Sequence, residues 1–268
     1  MILIYHSKDL DGYCSGAIMK KKYPKGTLFG YDYGEPFPWD LVSGEDVIMA
    51  DVSLPMNEMV QLNELASSFI WIDHHKSAIQ DYEALENKFL AYLDSSLSAC
   101  ELTWMYLFGD PLPYSVLLLG RYDTWRQSEG DWELTLAFQY GMRSVCNSAE
   151  TFPQELLRDG KITSYIDVGR AVLDYQKRQN EIICKSAFVM DFEGYKAICV
   201  NTTNFSSQTF ESVYSPLEYD LMMPFAFDGT SWKYCLFTTK PIDCSVLAKK
   251  YGGGGHAKAA GFKTDKML

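Results

Sequence analysis

All four histidines of this chain fall in short polar or glycine-rich clusters. His6 opens His6-Ser7-Lys8-Asp9-Leu10-Asp11-Gly12, His74 and His75 follow Asp73, and His256 ends the run Gly252 to Gly255. The first two clusters set imidazole beside carboxylate oxygen, the donor mixture that a divalent cation takes. Asp9 and Asp11, two apart in a loop, can face one site, with Gly12 permitting the turn that brings them there. In Asp73-His74-His75 one ring can ligate a metal and the other contact substrate, while the aspartate orients a ring. Ordinary roles compete: an acidic turn can simply cap a helix, and paired loop histidines can simply be exposed. Consecutive glycines beside His256 leave backbone N–H groups able to converge on an anion. Ala257-Lys258-Ala259-Ala260 then has helix-forming residues, and a helix N-terminus there would favour phosphate. Cation and anion sites in one chain imply an enzyme acting on phosphate esters.

These clusters lie far apart in sequence, so the fold must bring them together. Short apolar runs at Ile2–Tyr5, 27–31, 46–50, 68–72 and 89–93 read as strands, separated by helical patterns at 14–22 and 55–66. Near-continuous apolar strands alternating with helices predict a parallel sheet buried on both faces. Three of the strands deliver a polar residue just past their last apolar one: His6, Asp51 and Asp73. Ligands of open α/β sheets bind outside the carboxyl ends of strands, so these residues are expected to converge. Asp51 alone reads equally well as a helix cap, as does Asp123 in Gly120-Arg121-Tyr122-Asp123-Thr124-Trp125.

From Ser98 to Arg126 the pattern is helical, and a long helix is expected near 164–185. Beyond it, 196–200, 221–227 and 232–237 read as strands and 244–251 as one short helix ending at the glycines. The expected organisation is an α/β parallel-sheet domain with helices on both faces at 1–160, a connector helix at 161–187 and a smaller α+β domain at 188–268.

The chain has 268 residues, 47% of them hydrophobic, and a net charge of −11. Its length allows one or two domains at roughly 100–200 residues each. The acidic balance argues against a long duplex nucleic acid, which selects a basic face, but not against a small phosphorylated ligand offered to bound cations. Seven cysteines without a Cys-x-x-Cys pair read as free thiols in a reducing compartment. No leader is expected, and no apolar run approaches the roughly 18 residues of a membrane span, so a cytoplasmic protein without membrane attachment is expected.

Taken together and in order, the motifs resemble the DHH/DHHA1 phosphoesterase family. Asp73-His74-His75 corresponds to the name-giving triplet, His6-x-x-Asp9-x-Asp11-Gly12 to the first motif, Asp51 to the second and Asp123 to the fourth. Gly252-Gly253-Gly254-Gly255-His256-Ala257-Lys258-Ala259-Ala260-Gly261-Phe262 corresponds to the signature of the C-terminal domain. The resemblance implies two Mn²⁺ ions in a cleft between two domains, with Mg²⁺ or Co²⁺ as substitutes. His6, Asp9 and Asp51 would hold one ion, and Asp11, Asp51, His74 and Asp123 the other. His75 would contact the scissile phosphate, with Asp73 behind it. Gly253, Gly254, Gly255, His256 and Lys258 would bind a further phosphate of the substrate.

Two cations roughly 3.5–4 Å apart can acidify a shared water and stabilise both the attacking and the leaving oxygen. The implied activity is hydrolysis of short single-stranded oligonucleotides or linear dinucleotides to nucleoside 5′-monophosphates. Alternatives are 3′-phosphoadenosine 5′-phosphate phosphatase, cyclic-dinucleotide phosphodiesterase and exopolyphosphatase, or, in another class, a phosphate-ligand sensor without turnover. Oligomeric state is left open. Two departures stand out. The first motif has one residue fewer than is usual between His6 and Asp9. The Arg-Ser usual before the glycine loop is replaced within Leu236-Phe237-Thr238-Thr239-Lys240, where Lys240 offers a point charge instead of a bidentate guanidinium. Trp104, Tyr122 and Trp125 lie near the clusters and could stack on a base, though core packing is their more ordinary role.

Overall fold

Alternation within each N-terminal apolar run decides which of two cores its side chains enter. In the computed structural model, which describes residues 1–158 and 160–268, β1 (Ile2–His6) leads into α1 (Leu10–Lys22), β2 (Thr27–Tyr31), α2 (Trp39–Val42), β3 (Asp46–Ala50), α3 (Met56–Leu65), β4 (Ser68–Asp73), α4 (Lys76–Glu83) and β5 (Ala91–Leu93). The five strands are parallel, in the order β2-β1-β3-β4-β5. Leu3, Tyr5, Ile48, Ala50 and Ile72 face one core; Ile2, Ile4, Val47, Met49, Phe69 and Trp71 face the other. With both faces covered, no side of a strand can be polar, and the runs read as continuously apolar. The first core is filled by α1 together with α5 (Ala99–Phe108), α6 (Tyr114–Asp123) and α7 (Trp132–Arg143), the second by α2, α3 and α4.

Strand order reverses between β1 and β3: the chain leaves β1 outward to β2, then returns past β1 to β3. A crevice opens at such a switch point beyond the carboxyl ends of the strands. His6 ends β1, Asp51 follows β3 and Asp73 ends β4, so three adjacent central strands present them at one edge.

The chain divides into two compact units, Met1–Leu173 and Asp174–Leu268, with the division inside α8 (Thr163–Ile183). The second unit contains β6 (Phe188–Phe192), β7 (Tyr195–Asn201), β8 (Leu221–Phe227), β9 (Trp232–Phe237), α9 (Cys244–Lys249), β10 (Gly254–Gly255) and β11 (Ala259–Thr264). Its mixed sheet runs β10-β11-β9-β8-β7-β6, with β7 and β8 parallel and the other pairs antiparallel. The fold is thus α/β with a smaller mixed-sheet unit. No helix among the described residues is long and apolar enough to cross a membrane.

Two local expectations are corrected. Residues 257–260 do not start a helix. Ala259 begins β11, which pairs with β9 along its whole length and places Phe262 in a buried aromatic stack with Phe192 and Tyr234. Sheet pairing and aromatic burial override the helix propensity of alanine and lysine. Gly12 serves no tight turn either: it lies in the first turn of α1, where a Cβ would overlap the carbonyl oxygen of His6. The glycine lets α1 approach the end of β1 at backbone distance. Gly12→Ala is therefore expected to lower unfolding stability by ~3 kcal/mol, the upper end of overpacking costs. Urea denaturation checks this; a loss under ~0.5 kcal/mol, the range of neutral surface changes, would remove the close-approach argument.

Candidate metal centre

Asp9 caps α1, its Oδ1 accepting the Gly12 N–H at 2.9 Å, while its Oδ2 lies 2.8 Å from His6 Nδ1. The capping role and the functional one therefore coexist in one carboxylate. Asp11, one residue into α1, is buried and accepts the N–H groups of Ala99 and Cys100 at 2.8 Å each, so the first turn of α5 holds it. Asp51 caps no helix: Pro55 occupies that position for α3. Asp51 is buried with φ +64, a left-handed conformation that aspartate and asparagine tolerate better than other side chains. Its N–H donates to the Ile72 carbonyl at 3.0 Å, which ties the loop after β3 to β4.

The carboxylate of Asp73 organises the two histidines after it. Its Oδ1 accepts the His74 N–H at 2.7 Å and the His75 N–H at 3.2 Å, and lies 2.7 Å from His75 Nδ1. The contact assigns Nδ1 as the protonated nitrogen and fixes that ring. His74 is 2% exposed, and its Nε2 is ringed by Asp51 Oδ1 at 3.3 Å, Asp123 Oδ2 at 3.4 Å and Asp11 Oδ2 at 3.6 Å. Asp123 ends α6 and completes that group. On the opposite side His6 Nδ1 lies 3.6 Å from Asp51 Oδ2. All eight residues singled out in the first unit meet at one edge of the sheet.

Their spacing forms overlapping donor sets. His6, Asp9 and Asp51 each offer an atom within 4.8 Å of the others, as do Asp11, His74 and Asp123, and also Asp51, Asp73, His74 and His75. Donors to one ion at bond lengths of about 2.0–2.2 Å lie within such distances of each other. Asp51 Oδ2, Asp73 Oδ2 and Asp123 Oδ2 are buried and accept no hydrogen bond among the described residues. Buried anionic oxygens in that condition fit a cation.

The electrostatics agree. Burial, then the charges of Asp11 and Asp9, push the Asp51 carboxyl well above the usual range. Burial and Asp11 push Asp123 up to about 7. Burial opposes the His6 imidazolium, but the adjacent carboxylates of Asp51 and Asp9 outweigh it and raise His6 to about 11. Burial likewise opposes charge on His74 and His75, yet Asp123 and Asp11 raise the first and Asp73 the second. Burial works against charge on Asp9 and Asp73 too, but His6 lowers the former to about 2 and His75 the latter to about 2. The cluster has more negative charge than its imidazoles balance.

Three participants were not singled out from sequence. Asp32 follows β2 and lies 3.5 Å from His6 Nε2. The strand-then-aspartate signal that marked Asp51 also marks Asp32. Tyr33, half exposed, sets its ring at 5.8 Å from His6 and edge-on to His75 at 6.4 Å. Glu101, fully buried, was legible only as the fourth residue of the capping box Ser98-x-x-Glu101. The aromatic residues near the motifs pack mainly on each other: Trp104 stacks on Phe108, Tyr122 on Trp132, and Trp125 meets Trp132 edge-on.

In the second unit the glycine run has a packing role. Gly252 and Gly253 donate their N–H groups to the carbonyls of Lys249 and Ala248, closing α9. A Cβ at Gly253 would overlap the Gly261 carbonyl oxygen, and Gly255 has φ +134. The His256 N–H donates to the Ala259 carbonyl at 2.7 Å in the turn between β10 and β11. The Lys258 ammonium donates to the Lys240 carbonyl, and Lys240 Nζ lies 2.7 Å from Asp220 Oδ1. Both lysine charges thus have internal partners.

No protein-family model matches the chain. It is 26% identical over 291 aligned residues to the uncharacterized protein R106 of Acanthamoeba polyphaga mimivirus, covering 97% of this chain and 66% of that protein, so the chain spans just under two thirds of that relative's length. Among solved structures it is similar to an exopolyphosphatase-related protein from Bacteroides fragilis, with TM-score 0.58, 16% identity, and coverage of 100% of this chain and 87% of the other. That likeness shows a shared fold. A pGpG-specific phosphodiesterase, PggH from Vibrio cholerae, aligns at TM-score 0.48 and 14% identity over 98% of this chain and 93% of its own.

Asp51→Asn keeps the left-handed backbone and removes one charge. The metal-free variant is expected to be more stable than the parent by ~1 kcal/mol through relieved repulsion. Added Mn²⁺ should raise the Tm of the parent and leave that of the variant unchanged. Thermal melts in chelator and in Mn²⁺ check both; a parental Mn²⁺ shift in the variant would contradict the assignment.

Proposed function

We propose that this chain is a DHH-type metal-dependent phosphoesterase, specifically a manganese-dependent phosphodiesterase that hydrolyses short oligonucleotides or linear dinucleotides to nucleoside 5′-monophosphates. One observation carries the reading: the two oxygens of Asp51 face different donor groups, Oδ2 toward His6 and Oδ1 toward His74. A carboxylate so placed is suited to bridge two cations. His6, Asp9 and Asp51 would hold one, and Asp11, Asp51, His74 and Asp123 the other. The nitrogen-and-oxygen donor set suits Mn²⁺, with Mg²⁺ or Co²⁺ as substitutes. Once bound, the pair would supply Lewis-acid stabilisation of charge on the phosphoryl oxygens and acidify an attacking water.

The protein's own groups have separable tasks. Asp73 holds His75 through Nδ1, and Nε2 is the atom that would donate a proton to a phosphoryl oxygen. Asp73 also favours the charged ring that such donation needs. The burial of Asp11, Asp51 and His74 limits water around the reacting phosphate and strengthens each interaction there. Gly253, Gly254, Gly255, His256 and Lys258 would hold a further phosphate, with the Gly253 N–H and the Lys258 ammonium exchanging their present contacts for the ligand. Catalysis would belong to 1–160 and substrate binding to 188–268, joined through 161–187.

A second reading, exopolyphosphatase, is favoured by the fold shared with the Bacteroides fragilis protein described as exopolyphosphatase-related. Incubation with Mn²⁺ and pApA, a five-nucleotide RNA, 3′-phosphoadenosine 5′-phosphate, cyclic di-AMP and polyphosphate separates the readings. Release of 5′-monophosphates from pApA and the pentamer is expected. Cleavage of polyphosphate alone would establish the second reading, and binding without turnover throughout would indicate a sensor. His75→Ala should lower kcat by ~10²–10⁴ while Mn²⁺ binding persists; near-parental kcat would exclude His75 as the proton donor.

A further inference from the structure

A partly buried ion pair links the first turn of α5 to the segment after α6. Glu101 is fully buried, and its Oε2 is 2.5 Å from Arg126 Nη2. Each partner is tied to one of the carboxylates that ring His74. Glu101 Oε2 accepts the Ser98 N–H at 3.0 Å, and Ser98 Oγ accepts the Glu101 N–H, which closes the capping box and sets the first turn of α5. The next two N–H groups of that turn, from Ala99 and Cys100, hold Asp11. On the other side Arg126 Nε donates to Thr124 Oγ1 at 2.7 Å, and Thr124 Oγ1 donates to the Gly120 carbonyl at 2.8 Å. The Arg126 N–H donates to the Arg121 carbonyl at 2.9 Å. These bonds fold the chain back on the last turn of α6, which carries Asp123.

Two further observations show how closely this arrangement is specified. A Cβ at Gly120 would overlap the Glu101 carboxylate, so α6 meets Glu101 at backbone distance. Trp125, between Thr124 and Arg126, has φ +57, a conformation that a bulky residue keeps only where its surroundings over-determine it. A buried ion pair is a weak source of stability, because desolvation offsets the attraction. Its connections here run instead to the geometry of the centre.

We infer that Glu101 and Arg126 are positioning residues that set the separation of Asp11 from Asp123, and with it the affinity of the cation those two carboxylates share with His74. The inference rests on the metal-centre reading above. Neither side chain is required to touch the cation or the substrate.

Mn²⁺ binding to the full chain, followed by titration calorimetry and by electron paramagnetic resonance, tests it in Glu101→Gln, Arg126→Lys and Glu129→Gln. Gln at 101 still accepts the Ser98 N–H, and Lys at 126 keeps the charge but loses the planar fork. Glu129→Gln removes only the charge of the exposed contact of Arg126, at 3.3 Å. The parent and Glu129→Gln should bind two ions with an exchange-coupled signal. Glu101→Gln and Arg126→Lys should retain one site near parental affinity, weaken the other at least tenfold and lose the coupled signal. Should a single variant fail to fold, Glu101→Gln/Arg126→Gln gives the same readout with no unpaired buried charge. Two ions bound with parental affinity and an unchanged coupled signal in the folded variants would overturn the inference. A parent that binds no Mn²⁺ would overturn the metal-centre reading and the inference with it.

Discussion

Repulsion among carboxylates at the carboxyl edge of the parallel sheet is the constraint around which the first unit is organised. Asp9, Asp11, Asp51 and Asp123 crowd around the rings of His6 and His74, so that their charges repel one another, and burial amplifies the cost. Such a cluster persists only if each carboxylate is held by something stronger than its aversion to its neighbours. The holders differ from residue to residue. Asp9 is held by the cap it provides to α1, Asp11 by the first turn of α5, and Asp51 by a left-handed backbone hydrogen-bonded to β4. Asp73 is held by two backbone N–H groups and a histidine ring. A divalent cation is a natural counterweight to such a field.

Glycine serves this arrangement by absence of bulk. Gly12 lets α1 close on the end of β1, and Gly120 lets α6 close on Glu101. The same applies to Gly253, which lies against the Gly261 carbonyl where β10 and β11 pair. The glycine run beside His256 thus has a backbone-packing reason beside any part in holding a ligand. With Lys240 held by Asp220 and Lys258 by a carbonyl, the second unit offers a phosphate fewer uncommitted charges than its sequence suggests.

The strands of the first unit were legible because burial on both faces leaves a run of apolar residues with an abrupt polar end. Asp46–Ala50 matches the expected bounds for that reason, and the residues past the strand ends are those that meet. β6, β10 and β11 were not legible. Phe188–Phe192 is apolar in sequence but lies at an edge of its sheet with mostly exposed side chains, so its apolar residues mark no buried face. Ala259 and Ala260 have the local preference of a helix, and only the partner strand β9 makes them a strand. Glu101 and Arg126 were equally hidden, since two charged residues 25 positions apart have no reason to pair until α5 and α6 are packed.

The sequence by itself determined the chemistry on offer: which imidazoles and carboxylates exist, and that three of them stand at the ends of apolar runs. That follows from local rules, because residue type and strand period are properties of short segments. Tertiary structure alone decided that Asp51 turns one oxygen to His6 and the other to His74, and that α5 rather than solvent holds Asp11. It also decided that the last turn of α6 carries Asp123 into the same group. Those outcomes depend on distances between segments tens of residues apart, which only the packing of helices on the sheet can set.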